Sequence, residues 1–129
     1  MAQQPLQLIL MRELADHLAT PVFVVNAEGT LEFYNEPAGL LLGLRFEETG
    51  PMAADVWASR FTPTDEHGVP ITADELPLVR ALRGASPGHR RIWIQSLDGA
   101  RRHLEVTAFP MFGITGELIG ATALFWETA

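Results

Sequence analysis

The sequence predicts an α+β domain: a five-stranded antiparallel sheet with short helices on one face and an N-terminal flanking helix. Three observations carry this. Residues 22–35 hold two short β-rich runs about a tight turn. Residues 90–127 hold three longer ones separated by glycine turns. Between the two groups lie short helix signals, and a leucine-rich helical stretch precedes everything.

Leu6, Leu10, Leu14 and Leu18 recur every four residues across 5–19, which keeps them on one side of a helix. Met11 widens that side, and Arg12, Glu13 and Asp16 occupy much of the opposite surface. The segment reads either as a core helix or as a flanking helix packed on its own sheet and on a partner chain. We divide the chain there, with 1–19 as the flanking helix and 20–129 as the domain proper. Thr20-Pro21 breaks the helix.

Val22–Val25 forms the first strand, Glu28-Gly29 the turn, and Thr30–Asn35 the second strand. Strict alternation puts Leu31, Phe33 and Asn35 on one face of that strand and Glu32 and Tyr34 on the other. Asn35 then caps a short helix through Leu42, closed by Gly43. Residues 45–71 are acidic and interrupted by Pro51, Pro63 and Pro70. Trp57 and Phe61, four apart, share one face of a short helix. They either anchor this stretch to the core or line a cavity.

Thr72-Ala73-Asp74-Glu75 is a capping box opening a helix through Arg83, with Gly84 as terminator. Leu76, Val79 and Leu82 form its inward stripe. Pro77 sits too early for an unbroken helix. Either one hydrogen bond is lost or the regular helix begins a few residues later.

The final strands are Arg90–Ser96, Arg101–Phe109 and Glu117–Glu127. In the middle one Leu104, Val106 and Ala108 alternate with His103, Glu105 and Thr107. In the last, Ile119, Ala121, Ala123 and Phe125 oppose Leu118, Leu124 and Trp126. A strand apolar on both faces needs cover on both sides of the sheet. The central helices supply one layer, and the N-terminal helix or a second subunit the other.

Composition narrows the chemistry. The chain has 129 residues, no cysteine, and nine basic residues that are all arginine. Disulfides, thiolate metal sites, cysteine nucleophiles, Schiff-base lysines and a P-loop lysine are thereby excluded. A net charge of −7 argues against nucleic acid and anionic membranes. The absence of a long apolar run argues against a membrane helix. Met1–Pro5 lacks the basic start of a secretory signal, so the expected location is the cytoplasm.

Several segments, in one order, resemble the PAS sensor-domain family. Val22–Asn26, Glu28–Leu31 and Tyr34-Asn35-Glu36-Pro37-Ala38 are similar to its opening hairpin and "N-x-A" helix start. Asp65–Pro70, Glu75–Leu78 and Arg80–Gly84 are similar to its middle segment. Leu97-Asp98-Gly99, Leu104-Glu105-Val106, Phe109-Pro110 and Gly116–Ala121 are similar to its closing strands. The resemblance spans about 15–127. It departs at the end, where the family commonly has Asp-Ile-Thr and this chain has Glu127-Thr128-Ala129.

The resemblance implies sensing rather than catalysis: a small molecule held between sheet and helix, dimerisation, and a signal passed to an effector. The cofactor stays unidentified. Cysteine-linked flavin and the coumaroyl chromophore are excluded for want of a cysteine. Haem is disfavoured because residues 73–83 contain no histidine, with His67 before them and His89 after. Non-covalent flavin has no supporting motif. Asp65-Glu66-His67 reads as a solvated turn, so no metal site is expected. The default is an apolar cavity, with Phe33, Leu41, Trp57, Phe61, Leu76, Val79, Ile94, Val106 and Leu124 as lining candidates, against a closed core built from the same residues. Leu6, Leu10, Leu14, Tyr34, Trp93 and Trp126 are candidates for a homodimer interface.

Charge is uneven. Residues 26–75 carry ten acids and two arginines, while 80–102 carry six arginines and one acid. This reads as an exposed hairpin surface or as complementary faces of a dimer. Two other readings remain: a small ketosteroid-isomerase-like enzyme using Asp55 and His103 as acid and base, and a dimerisation module with no ligand.

Overall fold

The computed structural model describes residues 5–128. Eleven elements follow one another: α1 (Leu6–Asp16), β1 (Val22–Asn26), β2 (Leu31–Tyr34), α2 (Glu36–Leu42), α3 (Phe46–Thr49), α4 (Ala54–Arg60), a 3₁₀ turn (Ala73–Glu75), α5 (Pro77–Gly84), β3 (Gly88–Gln95), β4 (Arg101–Phe112) and β5 (Leu118–Glu127). The strands form one antiparallel sheet in the order β2-β1-β5-β4-β3. The predicted fold class is the one observed.

β5 is the central strand, which explains its two apolar faces. On one side α4 and α5 pack over it, with Ala121, Ala123 and Phe125 in the larger core beside Phe23, Trp57, Leu78 and Val106. On the other side α1 covers β1, β2 and part of β5. That smaller core gathers Leu8, Ala15, Val24, Phe33 and Met111, with Leu124 against it. Beyond the reach of Met111 and Phe109, the same face of β3 and β4 carries the part-exposed Trp93 and His103.

Two bulges break the expected alternation. Val24 pairs with Phe33 and Val25 with Leu31, so Glu32 is an extra residue in β2. Leu31 and Tyr34 therefore share the larger core while Phe33 turns to α1, a correction of the strict pattern. In β5 the pairs Met111–Gly120 and Phe112–Leu118 leave Ile119 extra, and it joins the α1 layer. Gly120 lies where β5 meets β1: a Cβ there would come within 2.2 Å of the Val25 carbonyl oxygen.

The face of α1 also differs from expectation. Leu8 and Ala15 are buried, with Met11 and Leu18 beside them. Leu6, Leu10 and Leu14 are 63%, 56% and 51% exposed. A spacing of three, four and three residues meets the sheet, and the i, i+4 leucine row faces away from it.

The predicted helix over 72–83 is split. The Glu75 carboxylate accepts hydrogen bonds from the Thr72 N–H and hydroxyl, giving the capping box, but only a 3₁₀ turn follows. Leu76 is extended and Pro77 restarts the chain as the first residue of α5. The later start is the alternative realised. Gly84 is helical, and Ala85 takes the left-handed cap at φ 51°.

Candidate functional site

Four polar bonds converge on Asn35, which is buried. Its Oδ1 accepts from Ala38 N (3.1 Å), the helix cap, and from Val22 N (3.0 Å) at the start of β1. Its Nδ2 donates to the Ala15 and Thr20 carbonyls, both at 2.9 Å. The side chain thus bolts together the end of α1, the entry to β1 and the start of α2. The sequence identified the cap alone. The two donated bonds go to carbonyls fifteen and twenty residues away in the chain, which local pattern does not reveal.

At its far end α2 stops against the β3–β4 turn. Gly43 is left-handed at φ 89°, and a Cβ there would lie 2.6 Å from Asp98 N. Leu97 N donates to the Leu42 carbonyl at 2.8 Å.

Between the sheet, α4 and α5 lies a cavity of about 100 Å³. The sheet contributes Phe23, Ile92, Ile94, Leu104, Val106, Ala123 and Phe125. The helical side contributes Leu42, Trp57, Ala58, Phe61, Pro63, Leu76, Pro77 and Leu78. Every side chain is apolar except for the Trp57 indole N–H, which donates to the Gly29 carbonyl at 2.7 Å. Phe23 anchors the wall, packing edge-on to Trp57 at 5.6 Å and stacked with Tyr34 at 5.9 Å.

Of the nine lining candidates, Trp57, Phe61, Leu76, Ile94 and Val106 come together here. Val79 is buried in the same core but does not reach the cavity, and Leu41 packs at its margin while Leu42 takes the wall position. Phe33 and Leu124 are corrected outright. They lie beneath α1, Phe33 because of the Glu32 bulge and Leu124 by its place in the β5 alternation. Phe23, Phe125 and the two prolines are lining residues the sequence did not single out.

Tyr34, a candidate for the homodimer interface, lies inside the protein instead. It is 1% exposed, and its hydroxyl donates to the Leu44 carbonyl. Burial raises its pKa above the ordinary phenol value, against a smaller lowering by the Thr49 hydrogen bond.

The open face of β3–β5 carries polar and aromatic groups in layers. Trp93 stacks on His103 at 4.3 Å, with the Arg101 guanidinium 5.0 Å from the Trp93 ring. His89 and Arg91 both reach Glu105, at 3.2 and 3.3 Å. These contacts hold the Glu105 pKa below the ordinary carboxylate value, His89 foremost and Arg91 next. Trp126 is 40% exposed at its edge. Asp55 stands exposed on α4, on the cavity side of the sheet, while His103 stands on the opposite face. The structure does not bring that acid–base pair together.

Among the described residues no cluster of three or more His, Asp or Glu side chains could hold a metal. No described helix is long and apolar enough to cross a membrane. A flavin does not fit the cavity, which offers no free hydrogen-bonding side chain for the ring and is several times too small.

Comparison with known proteins agrees with this architecture. A PAS fold family model matches residues 15–129. No match was found among curated proteins. The PAS domain of BvgS from Bordetella pertussis is 20% identical, with a TM-score of 0.58 over 95% of this chain and 86% of that one. The Rhodobacter sphaeroides LOV protein superposes with a TM-score of 0.73 at 14% identity, over 95% of this chain and 68% of that one. The PAS domain of the fruit-fly ELK potassium channel gives 0.72 at 10% identity, over 93% and 95%. Such identities speak for the fold alone. The family match covers nearly the whole chain, and with the observed sheet order it shows that this protein belongs to the PAS-fold family.

Proposed function

We propose that the chain is a sensory signalling module that holds a small apolar ligand between its sheet and α5, pairs with a second copy, and passes ligand-dependent packing to an effector. The apolar cavity of about 100 Å³ carries this reading. An all-apolar space with its single indole N–H already bonded is built to stay dry, and a dry cavity gains dispersion contacts when filled. A ligand that binds the folded state raises its melting temperature by mass action. The test is a thermal screen of purified protein against small apolar compounds, with mass spectrometry of denatured protein for anything co-purified. A rise of a few degrees with at least one compound is expected. No shift with any compound and no co-purified molecule would sink the sensing role.

The exposed leucines of α1 support the pairing. Leu6, Leu10 and Leu14 form a row more than half exposed, and Trp126 and the part-exposed Trp93 stand on the opposite sheet face from the cavity. Leu10→Glu with Leu14→Glu should convert a dimer to a monomer in analytical ultracentrifugation. A wild type that stays monomeric at high concentration refutes the pairing. The reading does not require catalysis, and the separation of Asp55 from His103 removes the acid–base pair on which an isomerase-like activity would rest.

A further inference from the structure

We infer that the cavity selects a neutral molecule without a hydrogen-bonding group, of about three to five non-hydrogen atoms: a small hydrocarbon, or a gas of similar bulk. This rests on the proposed sensing role and specifies its ligand class. Size sets the upper limit. A cavity of roughly 150 Å³ accommodates benzene, with its six carbons, so about 100 Å³ scales to about four atoms. Haem, flavin and fatty acids are larger by several-fold.

Polarity sets the rest. Pro63 and Pro77 contribute wall with no N–H. The Trp57 N–H is committed to Gly29. Among the described residues no buried side-chain nitrogen or oxygen lacks a hydrogen-bond partner, so none waits for a ligand. A hydroxyl, amide or carboxylate entering this space would leave water and gain nothing in return. Sensor pockets that orient a headgroup need at least one such waiting partner. The walls here provide shape alone.

Isosteres separate the two arguments. Isobutene, acetamide and acetate have the same four-atom branched skeleton and differ in polarity. Benzene and naphthalene extend the size. Each is titrated into the 129-residue chain while backbone amide NMR shifts are followed. Isobutene should shift amides of β3, β4, β5 and α5. Acetamide should bind at least tenfold more weakly, acetate should not bind, and naphthalene should not enter. Ala58→Leu and, independently, Ala123→Val fill the cavity from opposite walls, so one of them folding is enough. Either should abolish the isobutene shifts. Tighter binding of acetamide, acetate or naphthalene at the same amides would overturn the ligand class and leave the sensing role standing. Silence from every probe would overturn both.

Discussion

Replacing Asn35 by alanine is the most informative single perturbation of the fold. The substitution removes the cap acceptor for Ala38 N–H, a loss of about 1 kcal/mol. It also leaves the Val22 N–H buried without its partner, which costs a further 1–3 kcal/mol or so. The Ala15 carbonyl keeps a bond from Leu18 N, so losing the two donated bonds adds less. The sum is about 3 kcal/mol. Unfolding entropy near 2.1 cal/mol/K per residue over 129 residues gives about 0.27 kcal/mol/K. The melting temperature should therefore fall by roughly 11 °C. Circular dichroism melts and urea titration, checked for an unchanged m-value, measure both quantities. Asn35→Asp keeps both acceptor bonds but sets an oxygen against the Ala15 and Thr20 carbonyls, so it too should melt below wild type. A drop of under about 3 °C for the alanine variant would refute the claim that this side chain holds three segments together.

Two further predictions concern strain and acid. Ala85 caps α5 at φ 51°, where a Cβ is unfavourable, so Ala85→Gly should stabilise the protein by about 0.5–1 kcal/mol despite the added freedom of the unfolded chain. Thr62, at φ 49° between the lining residues Phe61 and Pro63, should respond to glycine in the same direction. A destabilised Ala85→Gly in thermal melts would contradict the cap geometry. Glu105 has a folded pKa held below its unfolded one, so its contribution is present above the unfolded value and is lost as pH falls through the folded one. The stability gap between wild type and Glu105→Gln should be full above the ordinary glutamate pKa and close as pH falls below it. A gap that stays constant through that fall would contradict the His89–Glu105–Arg91 grouping.

The parts legible from sequence were those governed by local chemistry. Asn35 announces a helix start because its short polar side chain satisfies an orphan amide within the next turn, whereas the Thr72 box opens only a 3₁₀ turn. Gly29, Gly99 and Gly116 mark turns because each takes a positive φ. The apolar faces of β5 announced two covering layers. What escaped was set by distant pairing. One extra residue at Glu32 shifts the alternation between Leu31 and Phe33, which is why Leu31 shares the larger core with Tyr34 and not with Phe33. The row of α1 leucines is more regular than the Leu8–Met11–Ala15–Leu18 face that the sheet uses. Which face meets the sheet is set by packing against β1, β2 and β5, which period alone does not reveal. Half of the cavity wall comes from the sheet and half from helices and loops remote in sequence, so its membership follows from three-dimensional packing.

A sensing role needs the cavity and α1 to respond to each other although they lie on opposite faces of the sheet. Two connections are present. β5 is shared, with Ala123 and Phe125 in the cavity wall and Leu124 in the layer beneath α1. The second is more compact: Leu42 at the end of α2 lines the cavity, and Asn35 at its start donates to the Ala15 carbonyl in the last turn of α1. A helix of seven residues moves as a rigid rod on this scale, and close-packed interiors transmit displacement. The two connections can be separated experimentally. In Asn35→Asp the cavity wall is untouched while the donors to Ala15 and Thr20 are lost. Isobutene should still shift the β3 and β5 amides of this variant, and the hydrogen-exchange rates of α1 should no longer follow it. If α1 continues to respond, β5 alone carries the coupling, and Asn35 is a bolt in the fold rather than a link in the signal.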